Sequence, residues 1–215
     1  MQKTGIFVVL EGLDGSGTTT QTGLLAKWFA EEGARYGKCV ATCEPTPGPA
    51  GSVTRLALGH RLALDSRTMA LLFAADRADH VFKTGDSRQE PGMYHLLQQG
   101  IHVVCDRYLL SSLAYQSLDL PMEWILQING QVIQPDITIY IDIDPGVSMR
   151  RVLEGRFHQD LYEAAETQSR VRTQYEIAIK HLQDEGQRIL RIDGNQTEDK
   201  VHRAILQEVL PLLEA

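Results

Sequence analysis

The sequence predicts an α/β fold, a five-stranded parallel sheet flanked by helices. Three observations lead there. Short, apolar, β-branched runs alternate with longer segments of helical period along the whole chain, the pattern of strand–helix–strand units. The runs are apolar on both faces, as strands covered from both sides should be, and do not alternate apolar with polar as a half-exposed antiparallel sheet does. A glycine-rich turn stands directly between the first run and the first helical segment.

The elements follow in order. Ile6–Leu10 (IFVVL) is the first strand, and Thr19–Glu32 the first helix. Val40–Thr42 is a second strand, followed by Glu44–Ser52 (EPTPGPAGS), whose Pro and Gly content reads as a loop inside the fold. Helical periods cover Ser66–Phe82 and Met93–Gln99 before the third strand, Ile101–Cys105 (IHVVC). Met122–Asn129 is helical, Ile137–Ile141 (ITIYI) a fourth strand, Glu163–Glu185 helical, Ile189–Ile192 a fifth strand and Thr197–Leu213 a last helix. Strand twist makes the crossovers right-handed. With no repeat, low-complexity tract or long linker, residues 1–215 are expected to form a single domain.

Composition narrows the function. The chain has 28 acidic and 21 basic side chains, a net charge of −7, which argues against a general nucleic-acid or membrane-surface binder. A few local arginines can still hold a small anion. Hydrophobic residues make up 43% and charged residues 23%, as in an ordinary globular protein. Cys39, Cys43 and Cys105 are odd in number and contain no C-x2-C pair, so neither a disulfide framework nor a zinc site is expected. No apolar run reaches the length of a membrane span, and the N-terminal MQKTGIFVVLEG lacks a signal-peptide core. A cytoplasmic location is the expectation.

The glycine-rich turn reads Gly12-Leu13-Asp14-Gly15-Ser16-Gly17-Thr18-Thr19. This is the phosphate-binding P-loop pattern G-x-x-x-x-G-K-[ST], with Thr18 in the place of Lys. Glycines let the chain curl so that backbone N–H groups face phosphate oxygens, and the next helix adds its N-terminal dipole. A P-loop NTPase-type domain is therefore expected, with Thr19 placed to ligate Mg²⁺ through its hydroxyl. Thr18 is the anomaly. The missing Lys normally sets a cation on the β- and γ-phosphates, and losing one transition-state donor costs ~10²–10³ in rate. Either the chain is a weak or dead phosphotransferase, or another cation takes the role.

Two further segments point to a family. Val104-Cys105-Asp106-Arg107-Tyr108-Leu109-Leu110-Ser111-Ser112-Leu113-Ala114-Tyr115-Gln116 resembles the thymidylate kinase signature D-R-[YH]-x-x-S-[ST]-x-A-Y-Q. Leu71–His80 (LLFAADRADH) is similar to the nucleobase helix of the same family, and Glu44-Pro45, Pro135–Thr138 and Arg191–Gly194 fall in its order. The resemblance spans roughly residues 5–210. It implies transfer of the γ-phosphoryl of ATP to dTMP, giving dTDP, with Mg²⁺, by a homodimer.

The resemblance also implies roles. Gly12, Leu13, Asp14, Gly15, Ser16, Gly17, Thr18, Thr19 and Thr20 would bind ATP, and Thr19 and Asp106 would sit at the metal. Arg107 follows a strand end, where open α/β sheets bind ligands, and its planar fork suits the dTMP phosphate. Phe73 and Arg77, four apart on one helix face, would stack on thymine and donate to its O4. Ser112 and Gln116, also four apart, would offer hydroxyl and amide to the base, and Tyr115 would close the 2′ side of the sugar. Asp14 would accept from the 3′-OH and contact Arg107, while Glu44 and Arg55 would lie near the acceptor's sugar and phosphate. Five have a plainer alternative: Phe73 and Tyr115 as core packing, Asp14 as a turn former, Asp106 as a helix cap, Arg107 as a surface ion pair.

Arg150-Arg151-Val152-Leu153-Glu154-Gly155-Arg156 is locally basic and follows the fourth strand. The family has a mobile lid there, about residues 150–162. One subclass carries a catalytic Arg in the P-loop, where this chain has Gly15; the other carries the basic residue in the lid, which this sequence matches. Arg151 or Arg156 is therefore the expected catalytic cation covering for Thr18, with Asp160 and Glu163 as orienting partners; helix-surface ion pairing is the alternative. Two other functions stay open: a different nucleoside monophosphate kinase, and a nucleotide-binding protein without catalysis.

Overall fold

Five aliphatic runs form one all-parallel sheet in the computed structural model, which describes residues 5–85, 90–153 and 161–214. The strands are β1 (Phe7–Gly12), β2 (Cys39–Cys43), β3 (His102–Asp106), β4 (Ile137–Asp142) and β5 (Ile189–Asp193), in the order β2-β3-β1-β4-β5. β1 is central, with Val9 beside Cys105 of β3 on one side and Thr138 of β4 on the other. Every strand runs one or two residues past its expected end, three of them finishing on Asp106, Asp142 and Asp193. Pairing is made by backbone groups, so a polar side chain at a strand end does not stop it.

The helices among the described residues are α1 (Thr18–Ala30), α2 (Pro49–Leu58), α3 (Ser66–Phe82), α4 (Met93–Gln98), α5 (Leu109–Tyr115), α6 (Met122–Ile128), α7 (Pro145–Leu153), α8 (Leu161–Asp184) and α9 (Glu198–Glu214). Two differ from expectation for one reason. Glu44–Ser52 is not all loop, because α2 begins inside it at Pro49, and α7 begins at Pro145. Proline breaks a helix interior but suits the first turn, where its missing N–H has no partner to lose. The signature segment also divides: α5 ends at Tyr115, and Gln116–Leu118 forms a 3₁₀ turn. Ser112 and Gln116 are therefore not successive on one regular helix face.

The alternation along β1 sorts the core into two layers. Phe7 and Val9 pack with Leu113, Ile125, Tyr175 and Ile179, on the side of α5, α6 and α8. Val8 and Leu10 pack with Leu25, Phe29, Ile205 and Val209, on the side of α1 and α9. Each such buried aliphatic contributes ~1.5–3 kcal/mol. Glu11 falls on the face of Phe7 and Val9 by the same alternation and is fully buried. The chain reverses its direction of winding at β1, so a crevice opens beyond the carboxyl ends of β1 and β3.

Candidate active site

The turn after β1 is shaped by glycine. Gly15 has φ +76°, and a Cβ there would stand 2.8 Å from the Ser148 carbonyl oxygen, so both conformation and space require glycine. The Ser16 N–H donates to the Leu13 carbonyl at 3.0 Å, closing the turn, and α1 starts at Thr18 with its first N–H groups free of intrahelical partners. Asp14 through Thr20 line a cleft of about 900 Å³ together with Arg55, Arg107, Arg151, Gly194 and Gln196. Gly12 and Leu13 do not line it. Leu13 is core, and a Cβ on Gly12 would meet the Ile141 carbonyl at 2.7 Å, so both support the loop from beneath.

A second cleft of about 720 Å³ is lined by Glu44, Arg55, Phe73, Arg77, Ser112, Tyr115 and Gln116, with Asp14, Thr19, Asp106 and Arg107 at its inner end. Both volumes suit a nucleotide-sized ligand. Asp14, Thr19, Arg55 and Arg107 line both clefts.

Arg107 is held at that junction. Its φ of +68° is uncommon for a side-chain-bearing residue. Nη2 donates to Asp14 Oδ1 at 2.7 Å, and Nη1 donates to Ser111 Oγ at 3.3 Å and the Tyr175 hydroxyl at 3.5 Å. The guanidinium lies over the Tyr115 ring, 5.4 Å from its centroid. The Tyr115 hydroxyl is buried.

Deeper in the second cleft, Arg77 is buried and donates to Glu44 Oε2 at 2.8 Å, to Ser112 Oγ at 2.9 Å and to Asn129 Oδ1. Three of its five N–H groups are thereby used. Glu44 lines this cleft and is itself buried between Arg77 and His80, whose Nδ1 is 3.0 Å from Oε1. Arg55 donates to the Pro45 and Thr46 carbonyls and borders Cys43. The Gln116 amide oxygen is buried without a partner.

At the end of β3, the Thr19 hydroxyl donates to Asp106 Oδ2 at 2.5 Å, while Oδ1 is buried with no hydrogen-bond partner among the described residues. An orphaned buried carboxylate oxygen costs stability unless a cation or water meets it. Hydroxyl and carboxylate oxygens are the donors Mg²⁺ prefers, and one or two suffice when phosphates complete its shell. The pair fits that ion. Among the described residues no group of three or more His, Cys, Asp or Glu could hold a metal.

Arg151 reaches the P-loop from α7, donating to the Gly15 carbonyl at 3.3 Å and the Gly194 carbonyl at 3.2 Å. Arg156 and Asp160 lie outside the described residues, as does the Glu163 side chain.

Sequence reasoning missed Glu11, Asn129 and Tyr175. Glu11 Oε1 accepts from the Tyr108 and Ser111 N–H groups, at 2.8 and 3.1 Å, and Oε2 accepts from the Ser111 hydroxyl at 2.5 Å and the Tyr175 hydroxyl at 3.2 Å. Burial pushes its carboxyl up to about 7, against the opposing pull of Ser111 and Arg107. One signal was available: an acid closing an otherwise apolar buried strand.

The sheet order, the glycine turn and the two clefts meeting at an arginine define a P-loop phosphotransferase fold. The family model for thymidylate kinase matches residues 10–205. The chain is 42% identical over 177 residues to a "Probable thymidylate kinase" of Pyrococcus abyssi, covering 80% of this chain and 81% of that one. It is 35% identical over 219 aligned positions to one of Thermococcus gammatolerans, at 96% and 98% coverage. To one of Staphylothermus marinus it is 38% identical over 212 positions, at 97% and 96%. The chain belongs to the thymidylate kinase family.

Proposed function

We propose that this chain transfers the γ-phosphoryl group of ATP to dTMP, giving dTDP. One observation carries the proposal: two nucleotide-sized clefts share Asp14, Thr19, Arg55 and Arg107. A donor phosphate entering from one side and an acceptor phosphate from the other would meet there. Phosphoryl transfer asks the protein for positioning and charge neutralisation, not for a covalent intermediate.

In this scheme the P-loop N–H groups hold the ATP phosphates and Arg107 holds the acceptor phosphate. Asp14 keeps Arg107 aimed and accepts from the sugar. Arg77 offers its two remaining N–H groups to thymine O4, held in place by Glu44, Ser112 and Asn129. Phe73 stacks on the base, Tyr115 bounds the 2′ side, and Gln116 offers its amide. Thr19 and Asp106 would hold Mg²⁺, which neutralises charge on the phosphates. Arg151 supplies the cation that Thr18 lacks; its guanidinium already bridges the P-loop and the loop after β5. Arg156 is the other candidate for that duty.

Two tests are direct. ATP-dependent dTMP phosphorylation is expected with Mg²⁺ and not without it. Arg151→Ala is expected to lower kcat at least tenfold, and by less in a Thr18→Lys background; an unchanged kcat would remove Arg151 from the scheme. Thr18 also favours a second function, nucleotide binding without transfer. Binding of both nucleotides with no ADP release above background would establish it.

We further propose a homodimer acting in the cytoplasm. Among the described residues, Val53, Leu56, Leu62, Leu71, Phe82 and Tyr94 are large, apolar and exposed, with Phe82 and Tyr94 in ring contact, and such side chains suit a contact between copies. Free Cys39, Cys43 and Cys105 suit a reducing compartment, and no described helix is long and apolar enough to cross a membrane. Light scattering on the purified chain should return twice its monomer mass.

A further inference from the structure

Arg107 is aimed by groups that the reaction itself does not use. Its Nη1 faces two hydroxyls, Ser111 Oγ and Tyr175 Oη. A guanidinium only donates, so each hydroxyl must turn a lone pair to Arg107 and send its single proton elsewhere. Glu11 Oε2 lies 2.5 Å from the Ser111 oxygen and 3.2 Å from the Tyr175 oxygen. A carboxylate only accepts, so it takes the Ser111 proton at 2.5 Å, and the Tyr175 proton is left to Oε2, to the Gly12 carbonyl at 3.0 Å or to the Ser111 oxygen at 2.9 Å. The other oxygen, Oε1, accepts the N–H groups of Tyr108 and Ser111. That clasp spans the turn in which Arg107 holds φ +68°, a backbone state that surrounding bonds must impose.

We propose that Glu11 is a positioning residue of the acceptor-phosphate site, setting the proton order of the Ser111 and Tyr175 hydroxyls and pinning the turn so that Arg107 points into the junction of the two clefts. The proposal rests on Arg107 as the group that holds the acceptor phosphate. Glu11 lines neither cleft and acts only through its neighbours.

The isosteric variant Glu11→Gln tests the polarity. Two backbone N–H groups claim the amide oxygen at the Oε1 position. The NH₂ then faces Ser111 and Tyr175 as a donor, which removes the acceptor of the Ser111 proton and competes with Arg107 for the hydroxyl lone pairs. Steady-state kinetics at about pH 8, where the carboxyl is ionised, should show the KM for dTMP raised at least about tenfold while the KM for ATP moves less than about twofold. Ser111→Ala and Tyr175→Phe, which keep Glu11, should each raise the dTMP KM in the same direction. Arg107→Ala should raise it most, and adding Glu11→Gln to that variant should do no further harm.

If Arg107→Ala leaves the dTMP KM unchanged, the assignment of Arg107 fails and takes this inference with it. If Arg107→Ala raises it but Glu11→Gln leaves it within about twofold, only the role of Glu11 is overturned. A fall in kcat with both KM values unchanged marks Glu11 as a folding residue and also overturns the proposal. Should Glu11→Gln not fold, unchanged dTMP KM values in both hydroxyl variants would overturn it instead.

Discussion

Glu11 shows what one buried acid does to its surroundings. Its carboxyl rises from 4.5 to about 7 on folding. The folded state therefore keeps a proton that the unfolded chain has released. This contribution to stability is full below about pH 4.5 and is lost as pH rises through 7, by at most ~3 kcal/mol. Glu11→Gln has nothing to titrate, so between about pH 5 and pH 8 the wild type should lose stability relative to it. Urea melts at the two pH values would show this, and a constant difference would contradict it. The residue scale is also where local pattern was most and least informative. Asp106 and Arg107 could be picked out because a strand end and a motif coincide there. Glu11 carried one local mark, an acid closing an apolar strand, but its role did not show, because its partners lie 97 to 164 residues away along the chain.

Among the elements, the P-loop depends on its neighbour α7. The Ser148 hydroxyl donates to the Asp14 carbonyl at 2.6 Å, and the Ser148 carbonyl fills the space beside Gly15. Gly15→Ala would add strain at φ +76° and drive a methyl group to 2.8 Å from that oxygen. We expect a loss of ~1–3 kcal/mol in stability and a raised KM for ATP with the dTMP KM little changed. Thermal melts and kinetics would measure both, and a variant equal to wild type would mean the loop can reshape. The start of α7 was hidden because Pro145 reads as a breaker in a local window. The long helices α3 and α8 were legible, since their apolar spacing persists over many turns.

For the whole molecule, the net charge of −7 hides how arginines gather at the clefts, where they stand beside Asp14 and Glu198 in the first and Asp14, Glu44 and Asp106 in the second. Arg55, Arg107 and Arg151 line the first cleft, and Arg55, Arg77 and Arg107 the second. An acidic chain can thus still present arginines to two small anions. Acceptor choice is a property of the full second cleft, so dTMP should exceed AMP and GMP at least tenfold in kcat/KM. A preference for a purine acceptor would replace thymidylate with another acceptor nucleotide.

By itself the sequence determined the strand and helix alternation, the glycine turn, the missing lysine at Thr18 and the signature around Asp106 and Arg107. Each of these is written in neighbouring residues, where backbone geometry and side-chain period leave a local mark. Only the tertiary structure decided that Arg151 reaches the P-loop, that Glu44 and Asn129 hold Arg77, and that Glu11 stands behind Arg107. Those contacts join distant parts of the chain across a parallel sheet, and no local pattern carries the register that brings them together.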